Sequence, residues 1–243
     1  MTRKDFSNGF DTLVNSYRRF RSFDSQEPLD SIEFDEYEKS LFLTKAQEEI
    51  VEELYTGKTQ DGESYEETER LRRSLAFLNE EKEFSPQSSS GYNPISSHSQ
   101  FFNIGTNVLY ITYEAVGVAS GQDDCLTGKM IETIPVRQDW YHRQVDNPFR
   151  GISKKRALRL DKKNGIIEIV YPLTIGKYYV RYVRKPNPII LENLPNNLTV
   201  NGSGTQSDCE LDSHLHYKIL ERGVILGLQS KGIGVRQRPS EKE

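Results

Sequence analysis

A chain of 243 residues and 28.0 kDa, with 35% hydrophobic and 28% charged residues and a mean hydropathy of -0.68, has room for one large domain or two small ones. Its apolar share is lean for a single globule, so part of the chain is expected to be extended or to depend on neighbouring subunits for burial. The net charge of -4 and pI near 5.7 argue against the basic face of a DNA-gripping protein; no apolar run approaches the roughly 20 residues of a bilayer span, and the polar N-terminus does not read as a signal peptide.

Phe6, Phe10, Leu13, Val14 and Tyr17 share one helical face, and Thr2 with Asp5 reads as a capping pair. Gly9 weakens that helix. Residues 22–34, with Pro28, read as a loop. A second helix is expected from Asp35 to Tyr55, capped by Asp35 with Glu38 and stopped at Gly57. Thr44 with Gln47 is a second capping pair, which leaves two readings: one long helix, or a helix that turns at Leu43-Thr44 and restarts. Ala46, Ile50, Val51 and Leu54 form its buried stripe.

A third helix is expected from Tyr65 to Glu81, with Ser64 and Glu67 as capping box and Leu71, Leu75 and Leu78 as the apolar stripe. Glu69 and Arg73, four apart, support it. Residues 85–100, rich in Ser with Pro86, Gly91 and Pro94, read as a linker.

Composition then turns toward β. Val108–Tyr113, Met130–Val136, Ala157–Leu160, Ile166–Tyr171 and Tyr178–Arg184 read as strands, with a turn at Ser120–Asp123 and a short helix or loop at Gln138–Val145. Asn164-Gly165 between apolar runs signals a hairpin. Lys185-Pro186-Asn187-Pro188 ends the last strand. A C-terminal helix follows from Asp212 to Gln229, loosened by Gly223 and Gly227, and then a tail.

The expected fold is α+β: an N-terminal helical bundle, an inserted antiparallel β-rich domain and a returning C-terminal helix. The divisions are 1–84 helical, 85–100 linker, 101–192 β-rich, 193–230 loop and helix packing on the helical part, and 231–243 flexible tail.

The search for chemistry yields no constellation. His214 and His216, two apart on a helix, face different ways and read as structural or surface groups. Asp123-Asp124-Cys125 reads as a turn; as a carboxylate pair it would be the best support for a metal-dependent nuclease. Cys125 and Cys209 lack the CxxC spacing of a zinc site and suit a reducing cytoplasm. The glutamate-rich helical stretches and the clusters Arg18-Arg19-Arg21 and Lys154-Lys155-Arg156 read as solvated faces. No catalytic residue, cofactor or metal ligand is expected. Tyr178 and Tyr182 fit sheet packing or, on a sharper reading, subunit contact.

The segment from Leu29 to Val51, with its core DEYEKSxFLTKAQEEIV, resembles a family of virion proteins in crAss-like bacteriophages. The stretch from Tyr179 to Leu191 (RYxRKPxPIIL) and that from Cys209 to His216 are similar to the same family, and the likeness runs from about residue 6 to 228. The resemblance implies a head-to-tail ring protein, like the adaptors of short-tailed phages. It further implies a ring of roughly a dozen copies, closed as symmetric oligomers are. The partners would be the portal and the adjacent ring or tail proteins, with DNA passing through the channel without sequence-specific contacts and no membrane involved. The location would be the portal vertex of a virion assembled in the host cytoplasm. Tyr178, Tyr182, Arg184, Lys231, Arg236 and Arg238 are the candidate assembly contacts. A soluble, non-catalytic binding module of phage or host origin is the competing reading.

Overall fold

The computed structural model describes residues 1–22, 32–56, 69, 73–88, 91–121, 125–195 and 197–233, with the backbone alone for 18–22. The chain divides into two units, Met1–Leu78 with Pro186–Glu243, and Asn79–Lys185.

Among the described residues, the first unit is built chiefly on three long helices. Helix α1 (Arg3–Ser22) opens on a reciprocal box: the Thr2 amide donates to the Asp5 carboxylate at 2.8 Å and the Asp5 amide to the Thr2 hydroxyl at 3.3 Å. Phe6, Phe10 and Val14 are buried at the expected spacing. Helix α2 (Glu36–Thr56) opens on the same device, with Asp35 and Glu38 exchanging backbone-to-carboxylate bonds of 3.3 and 2.6 Å. Gly57 lies outside the described residues.

Of the two readings for Thr44 and Gln47, the single long helix is the one observed. Both side chains are turned away from capping to hold the extended segment 187–191. Ser40 accepts the Leu191 amide at 3.1 Å, Thr44 accepts the Ile189 amide at 3.0 Å, and the Gln47 amide group donates to the Asn187 carbonyl at 2.9 Å. Spaced four and three apart, these residues form one polar stripe along α2. The stripe satisfies backbone groups of Asn187, Ile189 and Leu191, while Ile190 pairs with Ser207, in a segment whose Ile189, Ile190 and Leu191 are buried.

The C-terminal helix of this unit is His216–Ser230, preceded by a 3₁₀ turn at Ser213–Leu215. Its glycines pack tightly rather than loosen it. A Cβ at Gly223 would sit 3.1 Å from a Leu43 methyl, and one at Gly227 would sit 3.1 Å from Phe10 and 3.3 Å from Phe34. Gly9 likewise faces Leu220 at 2.8 Å. Small residues at these points let the helices approach. Arg222 with Glu49 (2.7 Å) and Lys218 with Glu53 (3.5 Å) tie its outer face to α2.

The expected helix over 65–81 is corrected at its C-terminal end. Ser64, Glu67 and Leu71 lie outside the described residues. Residues 73–75 are helical and Ala76–Leu78 is a 3₁₀ turn, but Asn79–Phe84 is strand β1. Its sequence NEEKEF carries little intrinsic β preference. Pairing decides: β1 lies antiparallel to β7 from Asn79↔Val183 to Phe84↔Tyr178, and this register matches Glu81 to Arg181 (3.0 Å) and Glu83 to Lys177.

The second unit is a seven-stranded sheet. Its strands are β1, β2 (Ser99–Asn103), β3 (Val108–Val118), β4 (Met130–Pro135), β5 (Arg156–Asp161), β6 (Ile166–Val170) and β7 (Ile175–Arg184), in the order β1-β7-β3-β4-β5-β6-β2. The expectation of a wholly antiparallel sheet is corrected, because β4 and β5 are parallel. Parallel neighbours require a crossover that carries the chain back to its starting end. Residues 136–155 supply it. The sheet curls until the two ends of its strand order meet, where the Gln87 amide donates to the Phe101 carbonyl at 2.7 Å.

Asn164 (φ 58°) and Gly165 (φ 71°) make the expected turn between β5 and β6. A Cβ on Gly165 would fall 2.0 Å from the Gly105 carbonyl, so the position admits glycine alone. Phe102, Val116, Ile167, Ile169, Tyr178 and Val180 form the main core, and Tyr141, Leu158, Leu160 and Val170 a second one beneath the crossover.

Candidate assembly surface

The four described candidate contacts are engaged within their own unit. Tyr178 is fully buried, and its hydroxyl donates to Glu114 at 2.6 Å. Arg159 lies 3.1 Å from the same carboxylate. Burial pushes the Glu114 carboxyl above its ordinary range, against the pull of the Arg159 charge. Burial, and then the neighbouring Glu114 charge, also push the Tyr178 hydroxyl up. The trio is a carboxylate that accepts from a phenol and is paired in charge with a guanidinium, all inside the sheet.

Tyr182 is 2% exposed and donates to Glu80 at 2.9 Å. Arg184 pairs with Glu80 at 3.1 Å. Lys231 pairs with Glu38 at 3.0 Å and sits 5.2 Å over the Phe34 ring. Sheet packing, the plainer of the two sequence readings, describes both tyrosines, because alternate β7 side chains point into the curled sheet. Arg236 and Arg238 lie outside the described residues.

Titratable groups elsewhere serve packing. His216 is buried against Phe6, accepting from the Met1 amine at 2.7 Å through Nδ1 and meeting the Leu211 carbonyl at 2.9 Å through Nε2. Burial holds its pKa below the ordinary value. His214 Nε2 lies 3.1 Å from the Ser74 hydroxyl. Lys39 is 4% exposed; burial works against its charge, but Asp11 (2.7 Å) and Glu36 (2.9 Å) together outweigh that and raise its pKa. Glu168, fully buried, takes the Lys162 ammonium at 2.9 Å and the Ile95 amide at 2.7 Å. Neither cysteine is in a disulfide, and burial pushes the Cys209 thiol up to about 11. Among the described residues no three His, Cys, Asp or Glu side chains converge as metal ligands, and no helix is long and apolar enough to cross a membrane. Asp123 and Asp124 lie outside the described residues.

What does reach solvent is the crossover between β4 and β5. Its 3₁₀ turn (Gln138–Trp140) and short helix α3 (Tyr141–Val145) are anchored by Tyr141, which is buried, with Val145 and Ile152 packed beside it. The next turn is tightly bonded. Asn147 Oδ1 accepts the amides of Phe149 (2.9 Å) and Arg150 (3.1 Å), Gln144 donates to the Arg150 carbonyl at 2.9 Å, and Arg156 donates to the Phe149 carbonyl. This network holds Phe149 87% exposed. Trp140 is half-exposed, with the Arg143 guanidinium 5.2 Å over its ring. A shallow groove of about 430 Å³ runs beside them, lined by Ile134, Val136, Trp140, Arg150 and Arg156.

The sequence reading passed over Phe149 and Trp140. The signal available was an aromatic residue set between Pro148 and Gly151, and the chain's single Trp nearby.

Comparison with known proteins accounts for nearly the whole chain. Residues 1–238 match the family described as phage tail ring protein 3/4. Ring protein 3 of Bacteroides phage crAss001 is 42% identical over 232 residues, covering 95% of this chain and 96% of that protein. Ring protein 4/5 of the same phage is 28% identical over 235 residues, covering 93% and 92%. With both units inside a match of this extent, the chain belongs to the phage tail ring protein 3/4 family of crAss-like bacteriophages and is a structural ring component of the virion.

Proposed function

We propose that the chain is a non-enzymatic subunit that closes into a ring with copies of itself in the connector joining portal and tail. The ring encloses the channel through which the genome passes. The observation that carries this reading is the family match over residues 1–238, which takes in both the helical and the strand unit. In this reading the strand unit is an insertion in a helical domain to which the C-terminal helix returns. The ring has roughly a dozen copies, within the closed symmetries of homo-oligomers. It meets the portal on one side and another ring or a tail protein on the other, and DNA passes without sequence-specific contact. Virions assembled in the host cytoplasm would carry it at the portal vertex.

Exposed apolar side chains support a subunit that is completed by neighbours. Phe149, Phe77 and Tyr217 are 87%, 61% and 57% exposed, apolar area available for burial against a neighbouring copy.

Cryo-electron microscopy of the portal vertex tests the proposal directly: a ring of this chain between portal and tail is expected. Purified particles whose mass spectra lack the chain would defeat it. A monomer found only free in infected cells would favour the soluble binding module instead.

A further inference from the structure

We infer that the β4–β5 crossover is one half of the subunit interface, its aromatic and basic face seating on an acidic surface of a second copy of the chain. The inference rests on the ring reading above and goes beyond it by naming the surface.

Charge selects the occupant. Residues 136–155 hold five of the chain's 32 Lys and Arg but only two of its 36 Asp and Glu, so the segment carries +3 and the remainder -7. Each copy therefore offers a basic projection and, elsewhere, an acidic body. A ring of identical subunits related by rotation needs two different complementary patches on every copy. The crossover supplies one of them, and the other must lie on the acidic remainder.

The projection has the features of an anchor. Phe149 and Trp140 combine large apolar area with the guanidinium groups of Arg143 and Arg150, the residue types that dominate interface energetics. The turn is fixed in advance by its own hydrogen bonds through Asn147, Gln144 and Arg156, so docking costs little ordering. Gly151 is required for that turn, since a Cβ there would lie 2.7 Å from the Val145 carbonyl. DNA is the weaker occupant. Phosphates would take up the charge but leave Phe149 uncovered.

The test has two arms. The first compares self-association of the purified chain with that of Phe149→Glu and Arg150→Glu by mass photometry across salt concentrations. Both side chains are on an exposed turn, and unchanged far-UV circular dichroism and Tm confirm that the variants fold. Rings that weaken with salt, and self-association at least about tenfold weaker in either variant, are expected from a central anchor. Rings formed equally well by wild type and both variants overturn the inference and leave the ring reading standing.

The second arm applies where purified subunits stay apart. A photo-crosslinking phenylalanine analogue at position 149 is incorporated during infection and the particles are irradiated. A crosslink to an acidic peptide of another copy supports the inference. A crosslink to DNA, to the portal or to another tail protein overturns it. Particles that lack the chain altogether defeat the ring reading itself.

Discussion

The hydroxyl of Thr44 accepts the amide hydrogen of Ile189 at 3.0 Å and lies 3.3 Å from the carbonyl oxygen of the same residue, across 145 positions of sequence. One side chain in the middle of α2 thus serves both backbone groups of a buried residue. Ser40 and Gln47, one turn to either side, each serve one backbone group, the Leu191 amide and the Asn187 carbonyl. Ile190 between them pairs with Ser207 through two backbone bonds of 3.1 Å, so the helix's polar stripe serves the residues on either side of that bridge.

Replacing Thr44 by Val keeps the shape and removes the hydroxyl. Two buried backbone groups of Ile189 then lose a partner, and a loss of about 1–3 kcal/mol is expected. Urea denaturation should show a lower midpoint for Thr44→Val and a nearly unchanged one for Thr44→Ser.

Gly227→Ala sets two effects against each other. Helix propensity favours Ala by about 1 kcal/mol. Against it, a Cβ 3.1 Å from Phe10 and 3.3 Å from Phe34 overpacks two rings that meet edge to face at 5.3 Å and are both buried. Overpacking costs about 1–3 kcal/mol, so a net loss is expected. Gly9→Ala meets only the end of the flexible Leu220 side chain and should cost less. Thermal melts of the two variants give the order.

Acidification should weaken the helical unit through His216. Burial lowers its folded pKa below the ordinary 6.5, so the unfolded chain binds the proton more readily. The stabilising contribution is complete above 6.5 and is lost as pH falls through the folded pKa. Tm measured from pH 7.5 downward should drop, starting at about the unperturbed imidazole value. His216→Gln should flatten that slope.

Lys162→Met strands a buried carboxylate. Glu168 is fully buried and would keep only the Ile95 amide among its two closest partners. Breaking a buried pair from one side costs about 3–5 kcal/mol, and Lys162's partial exposure places the expectation at the low end. Replacing both, as Lys162→Met with Glu168→Gln, removes the stranded charge while keeping an acceptor for the Ile95 amide, and should recover most of the loss in denaturant midpoint.

Local chemistry was legible in the chain. The two capping boxes and the Asn164-Gly165 turn each depend on residues within three positions of one another, and all three occur as read. The apolar stripe Phe6–Phe10–Val14 is likewise a property of one helix. The family resemblance was legible for a similar reason, since its motifs are contiguous runs such as that from Asp35 to Val51.

Other features were decided only by contacts between distant segments. Strand β1 has a sequence suited to a helix and becomes a strand because its backbone pairs with β7 from Asn79 to Phe84, with Arg181 and Lys177 set against its glutamates. Gly223 and Gly227 look like helix breakers and are contact points, a distinction made by Leu43, Phe10 and Phe34. Tyr178 and Tyr182 could face a neighbour or a core, and the curl of the sheet turns them inward. The sequence by itself determined the caps, the turn and the helical faces, because those energies are fixed within a few residues. Only the tertiary structure decided what each face meets, because that depends on groups brought together from more than a hundred positions apart, as Thr44 is with Ile189.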